Sequence, residues 1–305
     1  MLRYRADWRS IAYLATAAAI AAIHWNFEAL ALPVYSIEVL GVRVQPILYL
    51  LALFMGVATA VISHNHNHLS MWKSKPLNLV TSWVISIFYG HPAIGWVPTH
   101  NMVHHKFNNR PGDSSRAPKV FKRNHIFALV IYPTLTSMAQ TKEIKAYIAG
   151  LRTKNRKAYW MAISEYVVFF GFMAAVFLLD WRKALLFFLI PQQVALFVIQ
   201  VFNYVQHIEA DENSEWNHSR NFVSPVLNVL LFNNGFHTVH HITPGLHWTK
   251  TPEAHAKVAH RIHPALQQRS WWGYMIWTFL LRPLVPGAGA PDLGSGGGED
   301  LAAAA

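Results

Sequence analysis

Residues 184–207 read ALLFFLIPQQVALFVIQVFNYVQH, a run without a charged side chain that ends in histidine. A helix of about 20 apolar residues crosses the hydrocarbon core of a bilayer, so the stretch predicts a membrane span over 184–206. Asn203 and His207 are four residues apart and share one helix face. The run therefore predicts a membrane protein with a polar site at one end of a span.

The rest of the chain supports a membrane class. Only 13% of the residues are charged and 53% are hydrophobic, whereas soluble domains carry about 25% charge. Three further stretches are long and apolar enough to span, near 11–32, 46–63 and 158–179. We therefore expect an all-α integral membrane bundle of about four transmembrane helices, with a cytoplasmic helical cap carrying the polar site. Residues 1–293 are expected to form a single domain, and the Gly/Ala-rich tail 294–305 to be disordered.

The formal charge of +11 is explained by membrane topology. With the N-terminus inside, 23 of the 26 Lys and Arg residues fall on the segments 1–9, 64–157 and 207–305, all on one side. This is the positive-inside pattern, so the charge does not require nucleic acid as a partner. We expect a multi-pass protein whose site faces the cytoplasm. The lack of a fused electron donor and of a C-terminal retention signal favours a bacterial inner membrane.

Histidines occur in clusters on the same predicted side of the membrane. Imidazole is the commonest metal-binding side chain, and nine of them are too many for one ion. The absence of cysteine excludes iron–sulfur clusters and thiolate sites. From the ligands alone, iron, zinc and copper all remain open for a dinuclear centre. His66 faces away from the other two histidines of its cluster and is left out. The candidate ligands are His64, His68, His100, His104, His105, His207, His237, His240 and His241.

These clusters resemble the histidine boxes of the membrane fatty acid desaturase and hydroxylase superfamily. The three boxes are His64-x3-His68, His100-x3-His104-His105 and His237-x2-His240-His241, and Asn203-x3-His207 matches a further element of the family. The resemblance implies two iron ions, O2 as co-substrate, and a contact of Asn203 to a metal through water. It also implies a long-chain acyl substrate (a CoA ester, a lipid-linked chain or a free acid) and an external electron donor. Such a donor is ferredoxin, rubredoxin or cytochrome b5 with its reductase.

The spacing departs from that of the stearoyl-CoA desaturases, which have four intervening residues in the first box and two in the second. The substrate is therefore open. Desaturation is the leading interpretation. Hydroxylation of a fatty acid or alkane, and decarboxylation to a terminal alkene, use the same core and stay open. A membrane metal carrier or sensor is the alternative from another class, but it would need ligands along a path through the spans.

Acidic residues near the boxes are candidate partners for the metal-bound imidazoles, which usually donate their second N–H to a carboxylate or a carbonyl. The candidates are Asp113, Glu209, Asp211 and Glu212, and the resemblance favours Asp113 and Asp211. Glu165 lies within a predicted span, where an unpaired carboxylate is costly, so it should pair or face a cavity.

Overall fold

The computed structural model describes residues 1–117, 124–291 and 293. The chain is mostly helical, which confirms the helical class, and the predicted tail 294–305 lies outside the described residues. The α-helices are α1 Trp8–Trp25, α2 Pro46–His68, α3 Lys75–Tyr89, α4 His105–Phe107, α5 Ile126–Lys154, α6 Arg156–Leu179, α7 Trp181–Ala184, α8 Ile190–His207, α9 Pro225–Leu230, α10 His237–Ile242, α11 Thr251–Val258 and α12 Trp271–Ile276.

Short elements connect these helices. The π-helices are Val97–His104, Leu185–Leu189 and Trp277–Leu281. The 3-10 turns are Arg5–Asp7, Ala93–Gly95, Trp248–Lys250, Ala259–Arg261, Pro264–Leu266 and Arg282–Leu284. The strands β1 Ile37–Val39 and β2 Val42–Val44 pair antiparallel, whereas β3 Asn221–Phe222 and β4 Gln267–Gln268 pair parallel.

Three helical segments of the described chain are long and apolar enough to cross a membrane: Pro46–His68, Arg156–Leu179 and Trp181–His207. They correspond to three of the predicted spans. The first predicted span, 11–32, contains a shorter helix, because α1 ends at Trp25 and a turn follows. Its 18 residues extend about 27 Å, slightly less than the roughly 30 Å of a hydrocarbon core. A fourth span therefore stays a prediction.

The chain divides into two compact units. The first unit comprises Met1–Val97 and Ile144–Ile199, and the second comprises Pro98–Glu143 and Gln200–Ala305. In the first unit, α3 ends at Tyr89 and is capped by Gly90, which has a φ of 90°. A Cβ at this glycine would come within 2.5 Å of the Cβ of Gln192. Gln192 itself is buried and donates a hydrogen bond to the Ile87 carbonyl at 2.7 Å, so close backbone packing there requires glycine.

Glu165 of α6 is buried in the first unit, as its costly position required. Its Oε2 accepts a hydrogen bond from the Ile94 backbone N–H at 2.7 Å. The Glu165 side chain thus accepts a hydrogen bond from a backbone N–H at the start of a 3-10 turn. It is therefore paired, as its place within a predicted span required.

The second unit is built on a core of aromatic and aliphatic side chains. Tyr132 of α5, Tyr204 of α8 and Phe222 of β3 are almost completely buried there, and Tyr274 of α12 packs against Phe222. This core fixes the end of α8 against the loop and short helices that carry most of the histidines.

Candidate metal centre

Four imidazoles of the second unit converge on one point. The ligand atoms of His104, His207, His237 and His241 all lie within 4.8 Å of one another. The Nε2 atom of His237 is 2.9 Å from that of His207 and 3.1 Å from that of His241. His104, His207 and His237 are at most 5% exposed. We call these four residues the four-histidine group.

Three further imidazoles of the same unit form a second convergence. The Nε2 atom of His105 lies 3.1 Å from that of His100 and 3.0 Å from that of His240, and the remaining pair is 3.4 Å apart. We call these the three-histidine group. Together the two groups contain seven of the nine candidate ligands.

Because of the local backbone geometry, the second box and the third box each contribute histidines to both groups. His100, His104 and the residues between them lie in the π-helix Val97–His104, where hydrogen bonds from i to i+5 widen each turn. His100 thereby meets His105, five residues on, while His104 turns to the four-histidine group. An ordinary α-helical reading, which paired His100 with His104, missed this division.

The third box is divided by ordinary helical spacing. In α10, His237 and His241 are four residues apart and share the face directed at His207, whereas His240 meets His105. The helix starts two residues after Gly235, where any Cβ would clash with the Phe222 carbonyl. Phe222 N–H also donates to the Gly235 carbonyl at 2.9 Å. This close backbone contact fixes the start of α10.

The spacing of the nitrogens fits metal coordination. Two nitrogens bonded to one ion at about 2.1 Å and at a right angle lie about 3.0 Å apart. The contacts of 2.9 and 3.1 Å around His237 match that geometry. The Nε2 atom of His104 is buried and has no hydrogen-bond partner among the described residues, and an ion would satisfy it. Burial, and then the neighbouring imidazoles, lower the pKa of His241 well below 6.5 and keep its ring in the neutral, metal-binding form.

Asp113 forms a hydrogen bond with His104, a member of the four-histidine group. His104 Nδ1–H donates to Asp113 Oδ2 at 2.7 Å, and the carboxylate also accepts from the backbone N–H groups of Asn109 (2.9 Å) and Ser115 (2.8 Å). Burial raises the pKa of Asp113, but His104 and the hydrogen bonds from Ser115 outweigh it and hold the pKa well below its ordinary value. The charged carboxylate thus fixes the tautomer in which His104 Nε2 is free to bind metal.

Asn203 joins the same network through its amide. Its Nδ2 donates to the Tyr132 hydroxyl at 2.6 Å, and Tyr132 donates to the Ser115 carbonyl at 2.5 Å. Ser115 Oγ in turn donates to Asp113 Oδ1 at 2.7 Å. The sequence singled out Asn203 and Asp113, but Ser115 and Tyr132 carry no motif that could have found them.

The other three acidic candidates have different partners. Glu209 forms an ion pair with Arg282 at 2.6 Å, and Glu212 forms one with Arg116 at 2.7 Å. Asp211 is exposed and its side chain accepts from the Asn213 backbone N–H within a turn. The structure therefore brings Asp113, and none of these three, into contact with a candidate ligand.

A buried arginine holds the end of α8 in place beneath His207. Arg220 is 1% exposed. Its Nη1 donates to the carbonyls of Val205 (2.6 Å) and Ile208 (2.9 Å), and its guanidinium lies 4.5 Å from the centre of the Tyr274 ring. These bonds satisfy helix-end carbonyls on both sides of His207. The His218 carbonyl, two residues before Arg220, lies 3.3 Å from His207 Nδ1 and orients that ring.

Arg220→Met should weaken metal binding, because the end of α8 would lose the cation that fixes His207. Changes that disturb the support of a ligand typically weaken metal affinity about 10-fold or more. Chelator competition on the purified protein measures this. Arg282→Met, which breaks the partly buried ion pair with Glu209 in the same unit, should lower the thermal unfolding temperature without the same loss of affinity. Equal loss of affinity in both variants would show that Arg220 acts only on stability.

The first box lies at the end of α2 in the first unit. The rings of His64 and His68 are 4.8 Å apart, and the His64 ring packs 5.2 Å from Trp96. His66 is 4% exposed, and its Nδ1 accepts from the Met71 backbone N–H at 3.3 Å. The ring of His66 is thus engaged with the turn that follows α2.

His66→Ala should keep the full metal content, whereas His68→Ala should lose metal. The reason is that the imidazole of His66 bonds to the backbone, and that of His68 shares a helix face with His64. Elemental analysis of both purified variants provides the comparison, with thermal unfolding to register the lost hydrogen bond in His66→Ala. Equal metal losses would contradict the assignment of His66 to the face of α2 that does not bind metal.

Comparison with known proteins gives a consistent result. The sequence profile of the fatty acid desaturase family matches residues 42–281, a range that includes every candidate ligand. The chain is also similar to a fatty acid desaturase of Bacillus subtilis (strain 168), with 24% identity over 279 residues, covering 77% of this chain and 75% of that protein. No solved structure matches significantly. The extent of the family match, with the histidine groups inside it, shows that the chain belongs to the fatty acid desaturase family.

Proposed function

We propose that this membrane protein is an O2-dependent di-iron oxidoreductase that desaturates a long-chain fatty acyl substrate. The observation that supports the proposal is that the histidines of the second unit form two separate groups. The adjacent residues His104 and His105 join different groups, so the second unit offers ligands for two ions rather than one. Both groups consist of imidazoles, and seven imidazole nitrogens suit a pair of transition-metal ions.

The proposed ligand set extends beyond these two groups. His64 and His68 supply further imidazoles, as the first box of the family implies. Asn203 would contact a metal through water, with its Oδ1, because its Nδ2 is bonded to Tyr132. The full set is His64, His68, His100, His104, His105, His207, His237, His240, His241 and, through water, Asn203.

When bound, the two irons would supply the redox chemistry with O2 that an unactivated C–H bond requires. Desaturation removes two hydrogens from the acyl chain, takes two electrons and two protons from outside, and reduces O2 to two waters. The residues of this chain orient the imidazoles, and burial lowers the pKa of His241, which keeps that ring neutral. Asp113 retains the proton of His104 at Nδ1, and the His218 carbonyl orients His207.

The electrons require an external donor, for which ferredoxin, rubredoxin and cytochrome b5 with its reductase are the candidate classes. The distribution of Lys and Arg supports a site on the cytoplasmic side of the membrane, and the membrane we propose is a bacterial inner membrane. The acyl substrate would then enter from the lipid or from the cytoplasm as a CoA ester, a lipid-linked chain or a free acid.

One experiment tests the function. The purified protein is analysed for metals, then supplied with acyl-CoA or free fatty acid, O2 and a reductase system, and the products are read by mass spectrometry. We expect about two irons per chain and a product lighter by two hydrogens. A gain of one oxygen would indicate hydroxylation, and loss of carbon dioxide would indicate decarboxylation. Zinc alone would overturn the di-iron proposal, and bound metal without any product would favour a carrier or sensor.

A further inference from the structure

The junction between α5 and α6 concentrates positive charge in the first unit. Four cations lie within residues 152–157, and all six of these residues are exposed. We call this segment the basic junction; its cations are Arg152, Lys154, Arg156 and Lys157. Residues 144–164 contain no Asp or Glu, and none of the ion pairs found between described residues includes these four cations.

The length of α6 places the basic junction at the level of lipid headgroups. With 24 residues the helix is about 36 Å long, which exceeds a hydrocarbon core of about 30 Å. The excess leaves a terminal turn in the polar layer. Trp160 is 60% exposed one turn into the helix, and exposed tryptophan is typical of the membrane–water interface. The cations therefore lie just outside the tryptophan, where phosphate groups lie.

The face of α6 beyond Trp160 is exposed and apolar. Val167, Phe170 and Leu178 are 65%, 60% and 88% exposed, and only 22% of the apolar window of this helix is buried. A surface of this kind contacts acyl chains when the helix crosses a bilayer. Positive charge thus continues directly into an apolar face, an arrangement that matches the headgroup and tails of one lipid molecule.

We propose that the basic junction binds anionic phospholipid headgroups and that this contact stabilises the membrane-inserted protein. A cationic segment beside a span attracts anionic lipid, and the attraction decreases with salt. Asn155 is the sole residue between α5 and α6, and its side chain accepts the Ala158 N–H at 3.0 Å. A headgroup held there restrains the ends of both helices. The inference rests on α6 crossing the bilayer and not on the proposed reaction.

The test compares the full-length protein in bilayer nanodiscs of phosphatidylcholine with and without phosphatidylglycerol. Arg156→Gln/Lys157→Gln removes two cations from the basic junction. Lys250→Gln/Lys257→Gln is the control, because it removes the same charge from exposed positions elsewhere. Wild type and control should unfold at a higher temperature when phosphatidylglycerol is present, and high salt should abolish the difference. The junction variant, which keeps Arg152 and Lys154, should show a clearly smaller difference than wild type at low salt.

Native mass spectrometry gives a second readout, namely the lipids that stay bound. With about 1 kcal/mol per cation near an anionic surface, the preference for phosphatidylglycerol over phosphatidylcholine should fall roughly 30-fold in the junction variant at low salt. An unchanged preference would overturn the inference. If the variant with unchanged lipid preference also bound an acidic electron-transfer protein more weakly, the basic junction would be a protein-docking surface instead. Metal content is measured alongside, so that failure of the di-iron proposal is seen separately.

Discussion

His237→Ala should reduce the bound metal from about two ions to about one per chain and abolish turnover. His237 is the central member of the four-histidine group, since its Nε2 lies within 3.1 Å of the Nε2 atoms of both His207 and His241. Alanine would leave the remaining imidazoles without the ligand that joins them. Elemental analysis of the purified variant and mass spectrometry of products measure the two effects.

His255→Ala is the matched control. It shows whether the loss of metal follows from removing a ligand or from removing any buried histidine. His255 is 6% exposed in the same unit, and its ring packs 5.0 Å from Phe236, outside both histidine groups. His255→Ala should lower stability by an amount typical of a core truncation, up to a few kcal/mol, and should keep the full metal content. If His255→Ala lost as much metal as His237→Ala, the assignment of His237 as a ligand would be wrong.

The division of the histidines into groups could not be read from spacing alone. The sequence singled out the boxes because imidazole is the commonest metal-binding side chain and these imidazoles recur at close spacing. It read every box as an α-helix, however, and that reading paired His100 with His104. The π-helix Val97–His104 depends on hydrogen bonds from i to i+5, for which the one-letter pattern carries no signal. The partner of His105 was therefore not predictable.

The support of the ligands was predictable only where a carboxylate was involved. Asp211 follows His207 more closely in the chain than Asp113 follows His105, but only Asp113 folds back to a candidate ligand, His104. Arg220 carries no motif in the sequence, yet it is buried: two carbonyls at the end of α8 accept hydrogen bonds from its guanidinium and a third accepts from its backbone N–H. Spans behaved differently, since length and apolarity are local properties. Three helices of the described chain that are long and apolar enough to cross a membrane lie near the predicted bounds.

Asp113→Asn should weaken metal binding at the four-histidine group by about 10- to 100-fold, the usual effect of losing the carboxylate behind a ligand histidine. The amide is nearly the same size as the carboxylate, but it carries no charge and presents an N–H group. His104 would then lose the acceptor that holds its proton at Nδ1, and the tautomer with a metal-binding Nε2 would no longer be favoured. Chelator competition measures the affinity. Asp211→Asn is the matched control, and its exposed turn predicts unchanged affinity.

The pH dependence of stability gives Asp113 a second, independent signature. The pKa of this carboxyl is held below its ordinary value in the folded protein. Its contribution to stability is therefore complete above the unfolded-state pKa of about 4 and is lost as the pH falls further, through the folded-state pKa. The unfolding temperatures of wild type and Asp113→Asn should differ most near neutral pH and converge in acid below about pH 4. A difference that stayed constant into acid would mean that the substitution acts through packing, and that the charge of Asp113 does not hold His104.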